Sequence, residues 1–162
     1  MGETENWDEF RGHNDETGET MTNVVGKIMF DESWDVAISI YTRDADKNGL
    51  AVTGSQSFGG GNFDIMVNRN LSTYGPSTGK LLNGKYATAR SAGNYLAGMN
   101  GATGKFDGDY LSQTTYMKMA GRVHAGMNWD GKHNLGAPYY GEIPYAGRMI
   151  LAGFQAGVKK RK

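Results

Sequence analysis

The sequence predicts an α+β domain: an N-terminal β-hairpin followed by a mainly helical, glycine-rich body. Three observations predict it. Apolar residues alternate at Val36, Ile38 and Ile40; beyond residue 88 they recur every three or four positions; and 25 glycines stand against three prolines, which points to many turns and close backbone approaches. At 162 residues the chain has the length of one ordinary domain with its own core.

Residues 1–22 are polar and rich in turn formers, which predicts a flexible acidic lead-in or linker ahead of a single domain over 23–162. The stretch WDVAISIYT at 34–42 alternates as a strand does, LAVTGSQSF at 50–58 is a second strand candidate, and RDADKNG between them makes the hairpin turn. FDIMVNRNL follows at 63–71, and then YGPSTGKLLNGK, a loop in which Pro76, Gly79 and Gly84 mark turns. Ala89, Ala92, Leu96 and Met99 share one face of a helix; Tyr116, Met119, Ala120, Val123 and Met127 share one face of a second. A third helix is predicted from Pro144 to Val158, with proline in its first turn, Met149, Ala152 and Ala156 on one face, and Gly153 and Gly157 as a strip of small residues. Glycine inside a helix costs about 0.5–1 kcal/mol relative to alanine, so Gly93 and Gly98 must serve either close packing or the approach of a ligand.

With no cysteine, the chain has neither a disulfide framework nor a thiolate metal site. No apolar run approaches the ~18 residues of a membrane span, and the acidic opening MGETENWDEF lacks the basic-then-apolar order of a signal peptide. Net charge is zero but uneven: residues 1–35 hold ten acids against Arg11 and Lys27, and the remainder carries +8. Four of those charges form the terminal run Lys159, Lys160, Arg161 and Lys162, expected to be a solvated tail, and the rest are dispersed.

Asp44-Ala45-Asp46-Lys47-Asn48-Gly49 has the oxygen spacing of the first half of a calcium loop, but Ser55 stands where a bidentate glutamate is needed, so the stretch reads as a hairpin turn. Of the histidines, His124 is a core-boundary residue or a base facing a cleft, His133 lies in the loop NWDGKHNLG, and His13 sits in the acidic lead-in. No two have metal-ligand spacing, so no metal is expected. Glu142, held among aromatic residues in PYYGEIPY ahead of a helix start, is a catalytic base or nucleophile, or else a charge that complements the helix end. Asp64 is a further candidate carboxylate. No nucleophile elbow, phosphate loop or dinucleotide fingerprint occurs, and no cofactor is expected.

Ala89-Arg90-Ser91-Ala92-Gly93-Asn94-Tyr95, then Gly98, Gly101-Ala102-Thr103-Gly104, a helix ending Ala120-Gly121, and Tyr140-Gly141-Glu142-Ile143-Pro144 together resemble the C-terminal toxin domains of bacterial polymorphic toxins, in particular the type-44 class. The resemblance spans about residues 60–158 and departs from the pattern at Ser91, where an acidic residue is usual. It implies an interbacterial effector, secreted or delivered into a target bacterium by secretion machinery or on a larger carrier chain, and neutralised by a cognate immunity protein. It also implies a cleft bordered by Gly93, Asn94, Tyr95 and Gly98, with Arg90 placed to hold an anionic or carbonyl-bearing substrate group. With the residue readings above, Glu142, His124 and Arg90 are the expected catalytic residues, and Asn94, Tyr95, Tyr140, His133 and Asp64 the expected substrate-binding ones. Because the basic residues are dispersed, a hydrolase of cell-wall peptidoglycan is expected ahead of an intracellular RNase; nucleic acid is a possible partner but not the favoured one. A non-catalytic secreted binding module is the third reading.

Overall fold

The computed structural model describes residues 3–4, 11–13, 20–24, 27–42, 78–106, 108–127, 136–140 and 144–161. Its elements are β1 (Glu3–Thr4), β2 (Arg11–His13), β3 (Thr20–Val24), β4 (Lys27–Ser33), α1 (residues 35–42), β5 (Thr78–Leu82), β6 (Lys85–Thr88), α2 (Ala89–Thr103), β7 (Lys105–Phe106), β8 (Asp109–Tyr110), α3 (Gln113–Met127) and α4 (Pro144–Val158). The class is α+β, as predicted. A four-stranded sheet runs in the order β1-β6-β5-β4, with β5 parallel to β4 and antiparallel to β6; β2–β3 and β7–β8 form separate antiparallel pairs.

The predicted strand over 34–42 is instead the helix α1. Trp34, Ala37, Ile38 and Thr42 are buried and Tyr41 is half-buried, a spacing of three and four that coexists in the sequence with the alternation of Val36, Ile38 and Ile40. Capping and a tertiary bond favour the helix. The Asp35 N–H donates to Ser33 Oγ at 3.1 Å, the Ser33 hydroxyl donates to Leu81 O at 3.2 Å, and the buried Trp34 indole N–H donates to Ala87 O at 2.9 Å. Val36 and Ile40 are left 69% and 42% exposed. The second predicted strand, the calcium-like turn and the 63–71 stretch lie outside the described residues.

The predicted loop over YGPSTGKLLNGK contains a hairpin. Asn83 (φ 51°) and Gly84 (φ 86°) supply the two positive-φ positions of a tight two-residue turn, and β5 and β6 pair from Leu82↔Lys85 to Gly79↔Thr88. β5 buries Lys80, whose ammonium sits 2.8 Å from Glu32 Oε2 and 4.8 Å from the centre of the Trp34 ring. β6 passes directly into α2, where Thr88 Oγ1 accepts the Ser91 N–H at 3.2 Å as the N-cap. Trp34, Ile38, Leu82, Ala87, Ala92, Tyr95, Leu96, Met99 and Met149 make the core shared by sheet and helices.

α2 and α4 meet through glycine. A Cβ at Gly98 would strike Ile150 O and stand 2.8 Å from Phe154 N; one at Gly153 would strike Tyr95 O; and one at Gly157 would lie 2.8 Å from Met99 O. The small-residue strip on α4 is therefore a backbone-to-backbone seat for α2. Gly93 is different, because a Cβ there meets nothing within 4 Å. α3 is turned from its predicted face: Met117 and Gly121 are buried, Tyr116 and Ala120 half-buried, and Met119 45% exposed. Hydropathy misses this because the contacts that orient α3 use glycines. Tyr116 fills the space over Gly101, donates to Ala97 O at 2.6 Å and stacks on Phe154, and the Tyr139 and Tyr140 carbonyls sit against Gly121.

The terminal run is only partly a solvated tail. Lys159 and Lys160 are exposed, but Arg161 folds back, donating to Ala102 O and Leu111 O at 2.6 Å each and lying 4.7 Å from the Tyr110 ring centre. Among the described residues no helix is long and apolar enough to cross a membrane.

Gly98→Ala and Gly153→Ala must each force α2 and α4 apart, and each should cost about 3 kcal/mol or more in urea unfolding. Gly93→Ala adds a methyl in open space and should stabilise by about 0.5–1 kcal/mol in the same measurement. Equal effects at the three positions would show that the glycine seat does not hold the helices.

Candidate functional site

α2 is buried around most of its circumference. Ala89, Ser91, Ala92, Tyr95, Leu96, Gly98, Met99, Asn100, Gly101 and Ala102 are all enclosed. Arg90, Gly93, Asn94 and Ala97 are half-buried, and at spacings of three and four they form one accessible strip along the first two turns. Tyr116, seated on Gly101, closes the strip at its far end. Gly93, with open space around its Cβ direction, keeps the floor of the strip low.

Arg90 occupies the first turn of α2, where the helix dipole favours anions and where the helix has no acidic residue. A guanidinium beside the positive end of a helix adds to the local attraction for an anionic group, and its planar fork suits a phosphate or carboxylate. Asn94 lies one turn further along the same face and adds an amide donor and acceptor.

Of the predicted site residues, the structure therefore brings Arg90 and Asn94 together. It separates Tyr95 from them: Tyr95 is buried in the core, with its carbonyl under Gly153. Tyr140 stands in the turn over 136–140, half-buried, with φ 51° and its ring 5.5 Å from the Lys118 ammonium. A tyrosine in left-handed backbone conformation is uncommon, and here the glycine at 121 leaves room for the adjoining carbonyls. His124 belongs to α3, but its side chain lies outside the described residues, as do Glu142, His133 and Asp64 altogether. Ser91, at the position where the resemblance departs, is fully buried. Among the described residues no three His, Asp or Glu side chains gather to hold a metal ion.

Asn100 was not singled out from the sequence. It is 1% exposed, and among the described residues neither its amide oxygen nor its amide nitrogen has a hydrogen-bond partner. It follows Ala97 by three residues and Gly93 by seven, so by helical register it adjoins the covered end of the strip. The signal was an amide inside the run LAGMNGA, where every other residue is apolar or glycine. Each unsatisfied buried polar group costs about 1–3 kcal/mol, which makes Asn100 a position where stability is given up.

Asn100→Leu, of similar size and without polar atoms, should raise the unfolding free energy by about 1–3 kcal/mol, and Asn100→Asp should lower it by burying a charge. Thermal and urea unfolding of the two variants checks this; a Leu variant less stable than the parent would show that the amide is satisfied in solution.

Comparison with protein-family models, with curated proteins and with solved structures returns no match.

Proposed function

We propose that this chain is an antibacterial effector toxin domain that cleaves RNA inside the target bacterium, is delivered by secretion machinery or a carrier chain, and is neutralised by a cognate immunity protein. The observation that carries the choice of substrate is the charge of the helical body. From Thr78 to Arg161 the sequence carries eleven Lys and Arg against four Asp and Glu, while the ten acids of residues 1–35 lie at the other end of the chain. Read along the sequence the cations look dispersed; the fold-back of Arg161 joins the C-terminal ones to the α2–β8 region. That is the electrostatic footprint of a polyanion partner.

The chemistry asked of the candidate residues is that of a metal-independent RNase. Glu142 takes the proton from a ribose 2′-hydroxyl, the hydroxyl oxygen attacks the adjacent phosphorus, and protonated His124 gives its proton to the departing 5′-oxygen, leaving a 2′,3′-cyclic phosphate. Arg90 pairs with the non-bridging oxygens, whose charge grows in the transition state. A second reading, hydrolysis of cell-wall peptidoglycan, draws on the strip itself, because an arginine and an amide side by side also suit a substrate carrying carboxylates and peptide groups.

The full chain, expressed in the cytoplasm of a test bacterium, should stop growth with RNA fragmentation; toxicity seen only on export, with rounding or lysis, would transfer the conclusion to the cell wall, and none in either compartment would leave a binding module. Glu142→Gln, His124→Gln and Arg90→Lys should each melt close to the parent and lose activity, the first two by orders of magnitude. Three variants as toxic as the parent would place the active residues elsewhere.

A further inference from the structure

The α2 strip is not the only cationic feature. At the opposite end of α2, about 20 Å away for a 15-residue helix, three segments converge: the start of β7, the end of β8 and the turn after α4. Lys105 Nζ lies 5.0 Å from the Tyr110 ring centre and the Arg161 guanidinium 4.7 Å from it. Arg161 also stands 5.3 Å from the Phe154 ring and is held by Ala102 O and Leu111 O, which fixes where the last residues of the described chain run. Lys159 and Lys160, exposed, precede it. Asp109, exposed beside Tyr110, is the carboxylate at this end among the described residues.

We propose that Lys105, Tyr110, Lys159, Lys160 and Arg161 form a docking site for single-stranded RNA, separate from the α2 strip, which holds the chain of a substrate whose scissile bond lies at Arg90. The inference rests on the RNA-cleaving reading for its biological meaning but not for its test. Arg161 contributes a positive charge already immobilised by two carbonyls, so no rotamer freedom is lost when a phosphate arrives. The lysines stand on flexible stems and can follow successive phosphates. Tyr110 is a π-face already chosen by cations: a base that displaces the exposed Lys105 ammonium from the ring frees that lysine for the neighbouring phosphate, so stacking and charge pairing reinforce each other. An aromatic surface of this kind takes unpaired bases and carries no array of groups to read their edges, which points to single strands without sequence preference. The separation of about 20 Å from Arg90 is within the span of the 4–16 nucleotides typical of single-strand sites.

The probe is a fluorescein-labelled oligothymidylate, a single strand without the 2′-hydroxyl that cleavage would need, titrated with the full-length protein at several salt concentrations. The parent should bind with an affinity that falls steeply with salt. The combined variant Lys105→Gln, Lys159→Gln, Lys160→Gln should bind at least about tenfold more weakly, with the salt slope reduced by about 2, as loss of three phosphate contacts on a single strand requires. Tyr110→Leu should weaken binding several-fold without changing the slope, and Asp109→Asn should tighten it. Lys85→Gln, at the β5–β6 turn, is the control and should bind as the parent does. Equal affinity in the triple variant and the Lys85 control overturns the docking site, as does binding to anionic lipid vesicles stronger than binding to the oligonucleotide. If the parent cleaves no RNA yet the triple variant loses the oligothymidylate, the cleavage reading falls and the docking site stands.

Discussion

Contact between the backbones of α2 and α4 is the constraint on which the rest of the molecule depends. Gly98 on one helix and Gly153 and Gly157 on the other remove the side chains that would hold the axes apart, so carbonyls and Cα atoms meet where Cβ atoms would otherwise collide. Each glycine costs helix propensity, and the return is dispersion contact along two 15-residue helices. Because β6 enters α2 with Thr88 as its cap, the position of α2 also sets that of the sheet. α4 in turn delivers Phe154 to Tyr116 and Arg161 to the end of α2.

A second anchor sits at Trp34. Its indole closes the sheet side of the core and bonds to Ala87 O, and its ring lies under the Lys80 ammonium. Lys80 is a nearly enclosed charge, and Glu32, about half exposed, is its carboxylate partner. The pair supplies little net stability, yet loss of either member would strand a charge. The same corner selects helix over strand for residues 35–42, because a strand could not place Trp34, Ala37, Ile38 and Tyr41 on one side.

Three features of α2 do not serve stability, and neither does the buried Thr42 hydroxyl of α1, which has no partner among the described residues. A cation stands in the first turn of α2, a glycine without a packing contact among the described residues lies in its accessible strip, and an amide with no partner among them is buried near its far end.

What the sequence by itself determined is what neighbouring residues decide among themselves. The helical face of α2 and the boundaries of α4 were legible because apolar spacing, the proline in the first turn of α4 and the close-packing glycines are local signals, and Arg90 and Asn94 fall on one face by helical arithmetic alone. The Asn83-Gly84 turn and the Ser33 cap were equally local and were overlooked beside an alternating pattern that residues 34–42 also contain. Only the tertiary structure decided the rest. It sent Tyr95 into the core and Asn94 to the surface, turned α3 onto Met117 through glycines that carry no hydropathy, and folded Arg161 back onto Tyr110. In each case the deciding partner is distant in sequence: Gly153 for Tyr95, Gly101 and the 139–140 carbonyls for α3, Ala102 O and Leu111 O for Arg161. A pattern read over a dozen residues records which face a side chain occupies, but not which other segment will cover that face.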